Sequence, residues 1–241
     1  MTDSVPPGPS GFSPGWSPVP GPDPDPARTG PAWEQPEKSW LTRFAQTTQA
    51  VLTGPDLFFR TMRREGGIGG PIVFGVIGSL LGGIVGAMYQ MVLSTLMAGM
   101  HSPAAAREQV LAGAFSTGCL IVVMPLAAVL GMFIGSAIYH VMLLLLGGAR
   151  RSYETTLRVS AYGTGATSVL SLIPICGAFI GAIYAIVVAI IGLARAHEIS
   201  TGKAAAAVLI PIVLCCAVVV VLYAAFAALL IGAVMSGTRP S

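Results

Sequence analysis

Four long stretches without a formal charge constrain this chain more than any motif in it. No Asp, Glu, Lys or Arg lies between Glu65 and Arg107, between Glu108 and Arg150, between Arg158 and Arg195, or between Lys203 and Arg239. A membrane-crossing helix needs about 20 apolar residues at roughly 1.5 Å of rise each, so every stretch has room for at least one. Composition points the same way. Charged residues make up 10% of the chain, against about 25% in soluble domains, and the mean hydropathy is +0.78. A soluble enzyme, a nucleic-acid-binding protein and a disordered chain are excluded together. The expected fold is all-α, a polytopic transmembrane bundle.

Helix signals divide the stretches into five spans. The first runs from Pro71 to about Met97, and the second, from Val110 to Leu146, is one long tilted helix bent near Pro125. The third stretch breaks at Ile173-Pro174-Ile175-Cys176-Gly177, which suits a tight turn between short helices at about Thr155–Ile173 and Gly177–Ala194. The fifth span covers about Ala204 to Val234. Of the 13 Lys and Arg, eleven then fall on the side of the amino terminus and two, Arg107 and Arg239, on the other. The positive-inside rule makes the amino terminus cytoplasmic and the carboxyl terminus external.

Residues 1–38 read as a disordered cytoplasmic tail with no signal-peptide pattern, since 11 of the chain's 18 prolines lie within residues 1–36. Residues 39–66 read as amphipathic interfacial helices, residues 67–236 as the five-helix domain and residues 237–241 as a short external tail. In the interfacial segment, Trp40 suits the headgroup layer, Phe58 and Phe59 the lipid interface, and Arg63 and Arg64 anionic headgroups. Arg150 and Arg151 join that basic face. The expected partners are membrane lipids with anionic headgroups, a protein partner of unknown identity or a second copy of the chain, and no nucleic acid.

Small residues recur at helical spacing within the spans. Gly75, Gly78, Gly82 and Gly86 line the first, Gly131 and Gly135 the second, and Gly177 and Gly181 the fourth, which is the pattern of close helix packing in lipid. Chemistry is sparse. The spans are read as free of Asp, Glu, Lys and Arg, which leaves His140 as the ionisable side chain at membrane depth. Ser136 precedes it by one turn, so a Ser–His pair can be drawn, and His197 lies near the same face as a second metal ligand, but neither set is complete. No catalytic residue, cofactor or metal is expected. A polar path through Gln90, His140, Tyr162 and Thr164 is the alternative, as in a permease for a small neutral solute, lipid or metal ion. Cys119, Cys176, Cys215 and Cys216 form no disulfide framework, and Cys176 is expected to face outside.

The order of several short segments resembles the YIP family, five-span membrane proteins related to the eukaryotic Ypt/Rab-interacting proteins. The segments are Gly54-Pro55-Asp56-Leu57-Phe58-Phe59, then Gly69-Gly70-Pro71-Ile72-Val73-Phe74, then His140 to Gly147-Gly148-Ala149-Arg150. Tyr153-Glu154-Thr155-Thr156-Leu157-Arg158-Val159-Ser160-Ala161-Tyr162, Ile173-Pro174, Ile191-Gly192-Leu193 to His197 and Lys203-Ala204 complete the series, within about residues 40–215. The resemblance is to bacterial members. The resemblance implies a non-enzymatic protein of the bacterial cytoplasmic membrane with a cytoplasmic amino terminus, acting through partners or membrane organisation. The eukaryotic relatives bind prenylated small GTPases. Their Asp-Leu-x-Gly-Pro pattern survives here as Gly70-Pro71, with Gly67 where the acid would fall.

Overall fold

The computed structural model describes residues 30–237, apart from the side chains of residues 115–117, 119–121 and 231–237. Most of the expected proline-rich tail and the end of the external tail therefore lie outside the described residues. The chain forms α1 (Trp40–Thr53), α2 (Pro55–Thr61), α3 (Gly69–Gly99), α4 (Pro103–Leu145), α5 (Tyr153–Ser168), α6 (Gly177–Ala196) and α7 (Thr201–Gly237), with 3-10 turns at Ala32–Glu34 and Val169–Leu172. Local chemistry sets several boundaries. Ser39 and Ser102 accept from the backbone N–H groups of Thr42 and Ala105 as N-caps, and Pro55 and Pro103 stand in first turns, where no N–H is required. Gly147, at φ +64°, closes α4: its own N–H donates to Leu144 and that of Gly148 to Leu143, a Schellman ending.

Four of the expected spans appear as helices long and apolar enough to cross a membrane, within α3, α4, α6 and α7. The helix α4 is unbroken through Pro125, and α7 through Pro211. The remaining expected span, Thr155–Ile173, is of another kind. Its helix α5 has 16 residues, carries Glu154 and Arg158, and meets neither the length nor the apolarity of a crossing helix. It is nonetheless the most enclosed element. Residues 155–159, 161–163 and 165–167 are all buried between α1, α3, α4 and α6.

Helix α5 lies along α3 because glycine lets it. A Cβ on Gly78 would stand 2.0 Å from the Gly165 carbonyl oxygen, and one on Gly82 would stand 2.1 Å from that of Ser168. Gly75 faces Met132 and the Ala161 carbonyl in the same way, whereas a Cβ on Gly86 would meet nothing within 4 Å. Around this seam, Phe44, Val51, Phe58, Phe59, Phe74, Tyr162, Val188 and Leu193 form the core.

The short helices α1 and α2 belong to that core. Phe58 is 6% exposed and Phe59 is fully buried, with Phe59 and Val159 both against Gly192 and Phe58 edge-on to Tyr162. The expectation that both wedge into lipid is therefore corrected. Amphipathicity identifies a face that avoids water but does not tell protein from hydrocarbon. Trp40 does remain exposed.

Candidate functional site

Among the described residues, most of the ion pairs and side-chain hydrogen bonds gather at one end of the bundle, where α2, the α4–α5 loop, the start of α5 and the end of α6 meet. At its centre is Arg158. It serves as a boundary when charge-free stretches are counted, yet its side chain is 1% exposed on the second turn of α5. The expectation of spans free of Asp, Glu, Lys and Arg is corrected here for α5.

A buried guanidinium has to place its donors. Nε donates to the Arg63 carbonyl at 2.8 Å, Nη1 to the Gly67 carbonyl at 2.6 Å, and Nη2 to the Glu34 carboxylate. Glu154, one turn back, lies 3.8 Å from Nη1 and accepts the Gly67 N–H at 2.8 Å. Gly66 and Gly67 have φ of +123° and +94°, the backbone that turns both polar groups of residue 67 towards α5.

Glu34 lies within residues 1–38, expected to be disordered. The structure instead docks Gly30–Gln35 across the bundle as a strap. Glu34 also accepts the Tyr162 hydroxyl at 2.6 Å. Trp33 donates its backbone N–H to Thr47 at 2.9 Å and its indole N–H to the Gly70 carbonyl at 2.7 Å. Its ring stands edge-on to Phe74 with centroids 5.7 Å apart, beneath the Arg43 guanidinium. Each aromatic pair of this kind contributes about 0.5–1.5 kcal/mol beyond its buried area.

A second cluster surrounds Glu198. Arg64 and Arg151 both donate to its carboxylate, and Arg150 donates to its carbonyl at 3.0 Å. The two guanidinium hydrogen bonds, Arg64 first, hold its carboxyl down at about 2. Glu198 follows the end of α6 with φ +56°, a place where glycine is usual, so its side chain is kept at a cost in backbone strain. Nearby, Asp56 accepts from Arg60 at 2.6 Å and from Arg195, which lowers its carboxyl, and the Tyr184 hydroxyl donates to the Leu52 carbonyl at 2.6 Å.

Between these clusters, Thr156 Oγ1 lies 2.9 Å from His140 Nδ1 and 3.0 Å from His197 Nε2. One hydroxyl thus joins both rings. His197 is fully buried, and desolvation, with His140, Arg151 and Arg64 nearby, pushes its imidazole down to about 4. Ser136 pairs with the Tyr153 hydroxyl at 2.8 Å and with the Phe133 carbonyl, so the Ser136–His140 pair drawn from spacing does not form. Among the described residues, no group of three His, Cys, Asp or Glu gathers as a metal site.

The other expected residues divide. Arg64, Arg150 and Arg151 are engaged with Glu198, and Arg63 is exposed, so the four do not make one open basic face. Gly177 and Gly181 pack on the Leu170 and Thr167 carbonyls, whereas Gly131 and Gly135 border a groove of about 330 Å³ between α4, α5 and α6. Thr164 and Ser160 line that groove. Gln90 is exposed near the far end of α3, Tyr162 is bonded to Glu34 and His140 to Thr156, so the four residues of the polar path are not brought together. Trp33, Glu34, Thr156 and Glu198 were not singled out from sequence. Trp33-Glu34 is an aromatic–acid pair in the proline-rich run, the one local signal that could have marked the strap.

The pattern of a Yip1 domain matches residues 50–223. The chain belongs to the Yip1 domain family. Its members are generally non-enzymatic membrane proteins, and this one is a multi-pass membrane protein. The match begins inside α1, so the strap and its Glu34 lie ahead of the family region. No curated protein and no solved structure matches the chain.

Proposed function

We propose that this Yip1-domain protein is a membrane-organising or partner-binding protein that works through its basic end. That end faces the cytoplasm of a bacterial cell, and the carboxyl terminus lies outside. The observation that carries this reading is the construction of the basic end as a preassembled cap. Its charges are largely paired internally, buried Arg158 with Glu34 and the exposed Glu198 with Arg64 and Arg151. Outward it exposes apolar Trp40, Leu41 and Leu57, at 54%, 60% and 68%, and the cations Lys38, Arg63 and Lys203, with Glu37 and Glu65 exposed among them. Anionic headgroups or an acidic, partly apolar protein surface fit such a face.

The test uses the whole protein in its native membrane, with a photo-crosslinker placed in turn at positions 40, 41, 57 and, as a buried control, 48. Adducts with lipid or with one protein from the first three positions, and none from the fourth, support the reading. Equal and minimal adducts from all four discard it. Alanine at Lys38, Arg63 and Lys203 should then weaken anionic-lipid adducts without altering the fold.

A further inference from the structure

The turn between α5 and α6 has the wrong chemistry for water. From Val169 to Ile183 there is no charged residue, and Ser171 is the only hydroxyl. Its bulky apolar side chains point outward: Leu172 is 43% exposed, Phe179 is 70% exposed, and Ile175, at the apex, is 102% exposed. Ile175 adopts φ +68°, where a solvent-facing turn uses glycine or asparagine and where a β-branched side chain is strained. The α3–α4 turn at the far end of its own hairpin is built differently, with His101, Ser102, Arg107, Glu108 and Gln109 close together.

The hairpin is also short. The Tyr89 hydroxyl of α3 donates to the Leu172 carbonyl at 3.1 Å, which levels the turn with Tyr89, and α3 continues ten residues further to Gly99, about 15 Å at helical rise. There α4 accompanies it, with Gln109 donating to Ser94 at 3.2 Å. Helix α7 starts beside the end of α6 through Ala204, Ala207 and Val208 and has 37 residues to the 20 of α6.

Polar backbone in hydrocarbon has to be satisfied from within, and much of this turn is. Ile173 N–H donates to Leu170, Cys176 N–H to Pro174, Gly177 N–H to Ile173 and Ile180 N–H to Cys176, while Pro174 has no N–H to place. The helices on either side of the turn must share one topology, because Arg151 just ahead of α5 binds Glu198 just beyond α6. Either both cross or neither does.

We infer that α5 and α6 form a re-entrant hairpin whose tip, Leu172–Phe179, ends among lipid acyl chains within the bilayer, while α3, α4 and α7 cross it. Length and composition admit α6 as a crossing helix, but its partner arm, α5 with the 3-10 turn that extends it to Leu172, carries Glu154 and Arg158 and is too polar to match it. Three crossings keep an odd count, so the division of Lys and Arg, eleven against two, is unchanged. Cys176 then lies in lipid rather than outside.

Cys176 supplies the probe. In the full-length protein with Cys119, Cys215 and Cys216 changed to alanine, a nitroxide is attached at Cys176 in proteoliposomes, and a second protein carries it at His101→Cys. Collision with oxygen and with a water-soluble nickel chelate is measured by electron paramagnetic resonance. The expected result is nickel access at 176 about tenfold below that at 101, with oxygen access higher. Equal nickel access at the two positions overturns the inference, because the tip would then stand in water. Spin–spin broadening at 176 also overturns it, since a second copy rather than lipid would cover the tip. Ile175→Lys gives an independent check. The side chain is fully exposed, so a lysine costs no packing, and loss of membrane-inserted protein is expected. Unaltered insertion and folding of that variant overturns the inference.

Discussion

Alanine at Gly78 should separate two helices that its row neighbour Gly86 leaves untouched. The new Cβ would stand 2.0 Å from the Gly165 carbonyl oxygen and 2.6 Å from its Cα. Carbon needs about 3.5 Å from such neighbours, so the deficit is about 1.5 Å, and backbone cannot rotate away as a side chain can. Either α3 and α5 move apart along the seam or α5 shifts against α6, and both open the core around Phe74 and Tyr162. Overpacking of this kind costs about 1–3 kcal/mol, and the upper part of that range applies where the obstacle is main chain. Gly82→Ala meets the Ser168 carbonyl at 2.1 Å and should cost as much, with the double variant less than additive because both act on one seam. Gly86→Ala, with nothing within 4 Å, should be neutral within about 0.5 kcal/mol. Denaturant unfolding in detergent micelles, followed by tryptophan fluorescence, measures all three. Equal stability of the Gly78 and Gly86 variants would refute the argument from close approach.

Glu34→Ala leaves the buried Arg158 guanidinium with the more distant Glu154 carboxylate alone and should cost about 3 kcal/mol in the same unfolding assay, with faster proteolysis around residue 33. Thr156→Val removes the hydroxyl that serves both His140 and His197 and should cost about 1–3 kcal/mol, which a thermal melt would detect. Glu198 has its carboxyl pulled down to about 2, so the clamp on Arg64 and Arg151 contributes fully above the ordinary carboxylate value near 4.5 and is lost as pH falls towards about 2. Fluorescence-detected separation of α2 from the α4–α5 loop should thus appear below pH 4 and shift to neutral pH in Glu198→Gln. Tyr184→Phe frees the Leu52 carbonyl and should speed amide exchange at the end of α1 without unfolding the bundle.

Apolar length is written plainly in this chain, and α3, α4, α6 and α7 follow it. Helix α5 does not, because it is sheltered by protein on most sides and its polarity is answered by neighbours rather than by lipid. Arg158 was hidden by the reading itself: a count of uncharged residues has to end at a charge, so the most deeply buried cation looked like the edge of a loop. Glu34 was hidden by composition, since a run rich in proline lacks the apolar area to fold alone but can still dock a short piece on a surface made elsewhere. The glycine rows announced close packing without saying on what. Gly78 and Gly82 meet backbone, Gly131 and Gly135 border open space, and only the partner helix distinguishes them. The cationic residues were visible, yet their pairing with Glu198 depends on a left-handed residue after α6 that no pattern marks.

The Trp33–Glu34 contact has a mechanical consequence. It fastens the chain to the middle helix before α1 begins, with the proline-rich stretch directly upstream. A tug on that stretch passes through Gly30, held to the Thr61 carbonyl, and Trp33, held to Thr47 and Gly70, and reaches Arg158 and Tyr162 through the next residue, Glu34. Whatever grips the tail holds the bundle by its axle.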